Sequence, residues 1–323
     1  MRPVLCTLIA VITFLSTVTV IKSQPTNLPS AKNSANSQYV SSHRISLTGS
    51  QIEVKFAPGQ LDLSEEEILD WIKLSSQAVE LYYGTFPVKQ VTIVVKPTYG
   101  RGVKYGTADG HGRPLINVYV GSSSKAEDLE DDWVMVHEMV HLGFPSLRDR
   151  HNWMEEGMAT YIEPIARARV GLVSEEEVWG DLVRNLPQGQ PKDGDKGLDY
   201  TPSWGRIYWG GALFCLVADV EIRQKTKNRK GLEQAMRGIV AAGGTITALW
   251  DADRAFETGD KAVGVQVMKN LYDSMKATPV TVDLQELWNK LGVEVRGRRV
   301  VFNNRAPLAH IRKAITALPK EDL

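Results

Sequence analysis

The stretch that decides the reading is Trp133-Val134-Met135-Val136-His137-Glu138-Met139-Val140-His141. It carries H-E-x-x-H inside an apolar run. On a helix, residues four apart share a face, so His137 and His141 present two imidazoles from one side, spaced to hold one zinc ion. Glu138 projects beside such a metal, where a carboxylate takes a proton from a metal-bound water. The plainer reading is an amphipathic helix that holds two histidines by chance. With six histidines in the chain, that coincidence has odds on the order of one in a hundred.

A catalytic zinc needs a third protein ligand and one open position. Downstream stands Asn152-Trp153-Met154-Glu155-Glu156-Gly157-Met158-Ala159-Thr160-Tyr161. Carboxylates in its first turn mark the start of a second helix. Glu156 and His151 are the rival third ligands, while Glu155 falls on a different helix face and reads as solvated. The pattern H-E-x-x-H-x-x-G-x-x-H would need Gly at Phe144 and His at Leu147, which excludes that branch.

The segment Trp153 to Tyr161 resembles the W-x-x-E-G-x-A-x-Y stretch of the gluzincin metallopeptidases. Their third zinc ligand is the Glu before that Gly, so the resemblance implies Glu156. A further segment, Arg206-Ile207-Tyr208-Trp209-Gly210-Gly211-Ala212-Leu213 running on through Asp219-Val220-Glu221-Ile222-Arg223, resembles the Y-x-x-G-A-L…D-x-E-I-R helix of the glycyl aminopeptidase family, a gluzincin branch. There a Tyr at the head of the helix donates to the tetrahedral oxyanion, and the matching residue is Tyr208. A fixed phenol donor beside the metal suits an oxygen that gains negative charge. Tyr161 and Tyr200 are weaker candidates, and a packed aromatic is the bland role of Tyr208. The family often carries Lys two residues after this Tyr, where Gly210 stands. The G-x-M-E-N-like strand with which aminopeptidase relatives hold a substrate amino terminus has no counterpart here. Endo- and aminopeptidase action are both left open.

The resemblance implies an α+β, zincin-like fold: a small mixed sheet with the H-E-x-x-H helix, then a mostly helical C-terminal part. It implies a zinc-dependent metallopeptidase acting on peptide or protein substrates. The competing expectation is a catalytically inactive peptidase-like fold that binds peptides or envelope proteins. A structural zinc site would close all four positions with Cys or His, and the chain has one Cys past its amino-terminal run.

The chain has 323 residues, 43% hydrophobic, with 38 basic and 38 acidic side chains. That supports a sizeable core and argues against nucleic acid as the main partner. Arg2 precedes an apolar run from Val4 to Ile21. Residues 1–23 therefore read as a secretory signal or, uncleaved, as a membrane anchor, which gives a secreted or periplasmic protein or a membrane-anchored one. Residues 24–45 read as a flexible leader rich in Ser, Asn and Gln. Residues 46–323 form the expected metallopeptidase domain: 46–170 for the sheet and zinc helices, 171–323 mainly helical. Cys215 reads as a buried hydrophobe.

Within the domain, the patterns predict strands over 51–56, 90–96 (ended by Pro97) and 115–120, and a helix over 64–83 opened by a Ser64/Glu67 capping box. Residues 99–113 read as a glycine-rich loop. Strand 115–120 is then expected to be the edge beside the zinc helix, where extended substrate pairs, with Asp109, His111 and Arg113 near the cleft. Asp128, Glu130, Asp131 and Asp132 serve the dipole of the next helix. Glu163 is expected either to orient a ligand histidine or to sit in a surface salt bridge. Further helices are predicted over 174–186, 207–226, 231–241, 260–276 and 306–317. Residues 187–202 are a lid, a substrate wall or a flexible surface loop.

Overall fold

The computed structural model describes residues 38–297 and 299–317. The expected signal and most of the leader lie outside these. The leader ends sooner than 45, because Ser41–Leu47 already forms strand β1. It pairs antiparallel with β2 (Ser50–Phe56) across a turn at Gly49. Among the described residues no helix is long and apolar enough to cross a membrane.

Helix α1 (Glu65–Tyr83) starts with the expected capping box. The Ser64 hydroxyl accepts the Glu67 N–H at 3.2 Å, and the Glu67 carboxylate accepts the Ser64 N–H at 2.8 Å. Its buried stripe includes Ile68, Trp71, Ile72 and Val79. Strand β3 (Gln90–Thr98) runs through Pro97, beyond the expected stop. The last β2 residue pairs with Val95, so the proline's missing donor costs no bond on that side.

The stretch expected as a loop contains strand β4 (Val103–Asp109), antiparallel to β5 (Leu115–Gly121). The sheet order is β1-β2-β3-β5-β4, with β2, β3 and β5 parallel. The edge beside the H-E-x-x-H helix is therefore β4, and β5 is an inner strand. One sheet face buries Ile52, Val54, Ile93, Val95, Ile116 and Val118 under the helices.

Short helix α2 (Ala126–Glu130) leads to α3 (Val134–His141), which bears the motif. Asp132 caps α3 by accepting the Val134 and Met135 N–H groups at 3.1 and 3.0 Å. After a short turn comes α4 (Asn152–Arg169), then α5 (Glu175–Asn185), which repeats the capping box with Ser174 and Glu177.

Residues 205–210 wind as a wide π turn into α6 (Gly211–Lys225), where a plain helix was expected from 207. Helices α4 and α6 touch backbone to backbone. A Cβ on Gly157 would lie 2.3 Å from the Gly211 Cα, a contact only glycine permits. Asp219 of α6 strengthens this junction: it accepts from the Tyr161 hydroxyl of α4 at 3.0 Å and from Arg223 at 2.8 Å. Tyr161 is thus committed to the core.

The remaining helices are α7 (Leu232–Ala241), α8 (Ala252–Val263), α9 (Met268–Met275) and α10 (Leu284–Leu291). The hairpin β6 (Val293–Arg296) and β7 (Arg299–Phe302) and helix α11 (Ala309–Thr316) complete the described part. The single helix expected over 260–276 is two. Gly264 closes α8 at φ 78°, and the Asp260 carboxylate then accepts the N–H groups of Val267, Met268 and Lys269 to open α9. Cys215 is fully buried in α6.

Segment 187–202 is pinned at several points. Asp195 pairs with buried Arg206 at 2.8 Å, and Asp199 accepts from the Trp153 indole at 2.8 Å and the Tyr272 hydroxyl at 3.1 Å. Gln190 bonds the Val282 backbone through both amide atoms. These anchors hold the segment against α4, α9 and the chain before α10.

Glu163 is paired with Arg167 at 3.0 Å, buried and without a histidine partner. Burial pushes its carboxyl up to about 8, despite the Arg167 charge that lowers it. Between the ordinary value of 4.5 and 8, the folded chain keeps a proton that the unfolded chain releases. This contribution to stability is complete at low pH and is lost as pH rises through 8. Glu163→Gln, which mimics the protonated acid, is expected to flatten the fall of Tm between pH 5 and 8. A steeper fall in the variant would contradict the assignment.

Candidate metal centre

Three donors converge where α3 crosses α4. One ligand atom each from His137, His141 and Glu156 lies within 4.8 Å of the others. His137 Nε2 and His141 Nε2 are 3.3 and 3.7 Å from Glu156 Oε2. A tetrahedral zinc with bonds of about 2.0–2.1 Å separates its ligand atoms by roughly 3.3 Å. Two imidazoles and a carboxylate so placed fit that ion and leave a fourth position to solvent or substrate.

The one-turn spacing on α3 brings the imidazoles together, with ring centroids 5.0 Å apart. The carboxylate comes from α4, whose approach is set by the Gly157–Gly211 contact one residue later. The same contact sets where the π turn delivers Tyr208, whose hydroxyl lies near the Glu156 carboxylate and favours its charged form. The wide turn re-aims one side chain at the head of α6, a common use of π geometry.

His151 does not join the cluster. It is buried against Asp199 at 3.0 Å and receives the Arg150 guanidinium on its other nitrogen. Glu155 differs from expectation as well: it is half-buried and accepts the Leu147 N–H at 2.9 Å, closing the turn between α3 and α4. Burial pushes it up to about 7. Tyr200 is largely exposed. His111 points to solvent against Asp109 at 2.7 Å, and Arg113 lines a cleft with Gln51 and Gln90 at the far strand ends.

Electrostatics separate the roles. Burial, then the His137 charge, lowers His141 to about 4, so its imidazole is neutral and ready to ligate near neutral pH. Burial raises Glu156, but the His137 hydrogen bond and both histidine charges outweigh it and hold the carboxyl below its usual range. Burial, then Glu156, pushes Glu138 up to about 8 without a metal. A nearby dication would pull that value down toward the working range of a general base. Burial and the charges of Glu156 and Glu138 push Tyr208 up to about 12, so it stays a hydroxyl donor.

Sequence reasoning missed the contribution of β4. Its Ala108 N–H lies near the Glu138 carboxylate and favours the charged form. Gly106, two residues away and so on the same side of the strand, lets that carboxylate approach. A Cβ there would lie 2.5 Å from Glu138 Cγ and 2.9 Å from Cδ. The signal was in the sequence as an isolated glycine between alternating residues. Gly106→Ala is expected to displace Glu138 and to cut kcat/KM by roughly 10²-fold, the scale of a 1 Å misplacement, with zinc content unchanged. Wild-type turnover in the variant would show that the contact does not set the position of Glu138.

No family model matches the chain, and no curated protein does. Among solved structures, an aminopeptidase N family protein from Idiomarina loihiensis matches with a TM-score of 0.55 at 16% identity, over 79% of this chain and 50% of that one. A variant of the M1 zinc metallopeptidase from Deinococcus radiodurans, bound to a Tyr-Ser-Ala substrate, matches with a TM-score of 0.46 at 15% identity, over 75% of this chain and 54% of that one. This chain spans about half the length of these structures. The likeness is one of fold alone, and it extends over the mixed α+β architecture with a small mixed sheet that this chain adopts.

Proposed function

We propose that this chain is a zinc-dependent metallopeptidase of gluzincin type, with His137, His141 and Glu156 as the metal ligands and Glu138 as the general base. The observation that carries the reading is the convergence of those three donors within 4.8 Å, next to a buried carboxylate held against an exposed edge strand. When bound, zinc would supply a Lewis acid that polarises the scissile carbonyl and acidifies an adjacent water.

The chain's own groups do the rest. The unpaired edge of β4 aligns extended substrate by adding a strand to the sheet. Glu138, seated against β4 at Gly106, accepts the proton of the attacking water and returns it to the leaving amine. Tyr208 donates its hydroxyl to the carbonyl oxygen as charge builds there. The substrate class is peptide or protein.

The test is digestion of a mixed peptide library by zinc-loaded protein, with cut sites read by mass spectrometry. Cuts that vanish on chelation and return with zinc are expected, and their positions separate endo- from aminopeptidase action. Zinc bound with no cut in any peptide would favour the binding-module reading, which Gly210 in place of the family's Lys motivates.

A further inference from the structure

Two large exposed aromatics each continue the site outward by one helical turn. Trp133 lies four residues before His137, so Trp133, His137 and His141 form one stripe on the metal-bearing face of α3. The Trp133 ring meets the His137 ring edge-on, with centroids 5.4 Å apart at 88°, yet the residue is 51% exposed. Trp204 lies four residues before Tyr208 at the mouth of the π turn. Its ring is 5.7 Å from that of Tyr208, and it is 60% exposed. Tyr200, four residues earlier, is 55% exposed.

An indole left in water forgoes the stabilisation its burial would bring, and each of these two stands against a side chain of the polar site, Trp133 against His137 and Trp204 against Tyr208. Their elements differ: one is the start of α3, the other the approach to α6. An extended peptide on the β4 edge points successive side chains to opposite sides. Residues flanking the bond at the metal therefore face two separate walls, not one pocket.

We propose that Trp133 and Trp204 are those walls, and that the preferred substrates carry aromatic or large aliphatic side chains next to the cleaved bond. The cleaved bond rests on the peptidase reading; the apolar walls do not. Both indoles contact the peptide and so act on its selection, not on the chemistry.

The experiment compares matched peptides carrying Phe, Leu, Gly or Asp at each position flanking the bond, with zinc-loaded protein. A preference for Phe and Leu of roughly 10- to 200-fold in kcat/KM is expected, the range a hydrophobic pocket delivers. Trp133→Ala and Trp204→Ala should each reduce that ratio to within about threefold of unity at one flanking position, while Trp133→Phe and Trp204→Phe keep it. Equal use of Phe and Gly peptides, or a preference that survives both alanine variants, would overturn the proposal.

Binding of the same peptides to Glu138→Gln protein, followed by calorimetry, separates the two readings. If wild type cuts nothing but Phe peptides bind more tightly than Gly peptides, and the alanine variants lose that difference, the walls stand and the peptidase reading falls. Binding with no apolar preference overturns the walls.

Discussion

Glu138→Gln protein is expected to bind one zinc as wild type does and to lose peptide hydrolysis by about 10²- to 10⁴-fold, the usual worth of a positioned acid–base group. The amide keeps the shape at that position but cannot accept a proton. Glu138 does not belong to the donor cluster of His137, His141 and Glu156, so metal content should not move. The carboxylate packs against β4 at the close approach that Gly106 allows, near the Ala108 N–H. Little else within that constraint can replace it. Retained turnover in the variant would remove Glu138 from the proton transfer and leave the site without a base.

The second large effect concerns the third ligand. Glu156→Ala is expected to lower zinc affinity by more than the roughly 10- to 100-fold that loss of an outer hydrogen-bond partner costs, because it takes away one of three donors. His151→Ala should leave zinc affinity near wild type and lower Tm instead. That imidazole is buried among Asp199, Arg150 and Tyr272 and sits outside the cluster. Competition titration with a fluorescent chelator measures both. The reverse pattern, with zinc lost in His151→Ala and kept in Glu156→Ala, would reassign the ligand.

How much of this was legible in the sequence depends on whether the deciding contact is local. The boxes at Ser64 and Ser174 are local, three residues apart, and both helices start where those pairs put them. The i, i+4 spacing of His137 and His141 is local too, and it placed two imidazoles on one face. The choice between Glu156 and His151 is not. It depends on Asp199, distant in sequence, which engages His151.

The glycines around β4 suggest a loop, yet Gly106 lies within the strand to admit a side chain from α3, and Gly110, just past its end, admits the Ile246 carbonyl. Once β4 was missed, the edge of the sheet was assigned to β5. The break at Gly264 depended on Asp260 reaching forward to three backbone donors, a contact periodicity does not register. The anchors of segment 187–202 likewise come from α4, α9 and the chain before α10. Gly157 and Gly211 stood in the family-like segments, but their role as the crossing point that brings Glu156 to Tyr208 needed the packed helices.

The most direct test of the account is anomalous scattering at the zinc edge from crystals of the zinc-loaded chain. The predicted result is a single peak at roughly 2.0–2.2 Å from His137 Nε2, His141 Nε2 and a Glu156 carboxylate oxygen, with Glu138 beside it and unbound. A peak on other side chains, or none with zinc in excess, would contradict the assignment of this site as a metal centre.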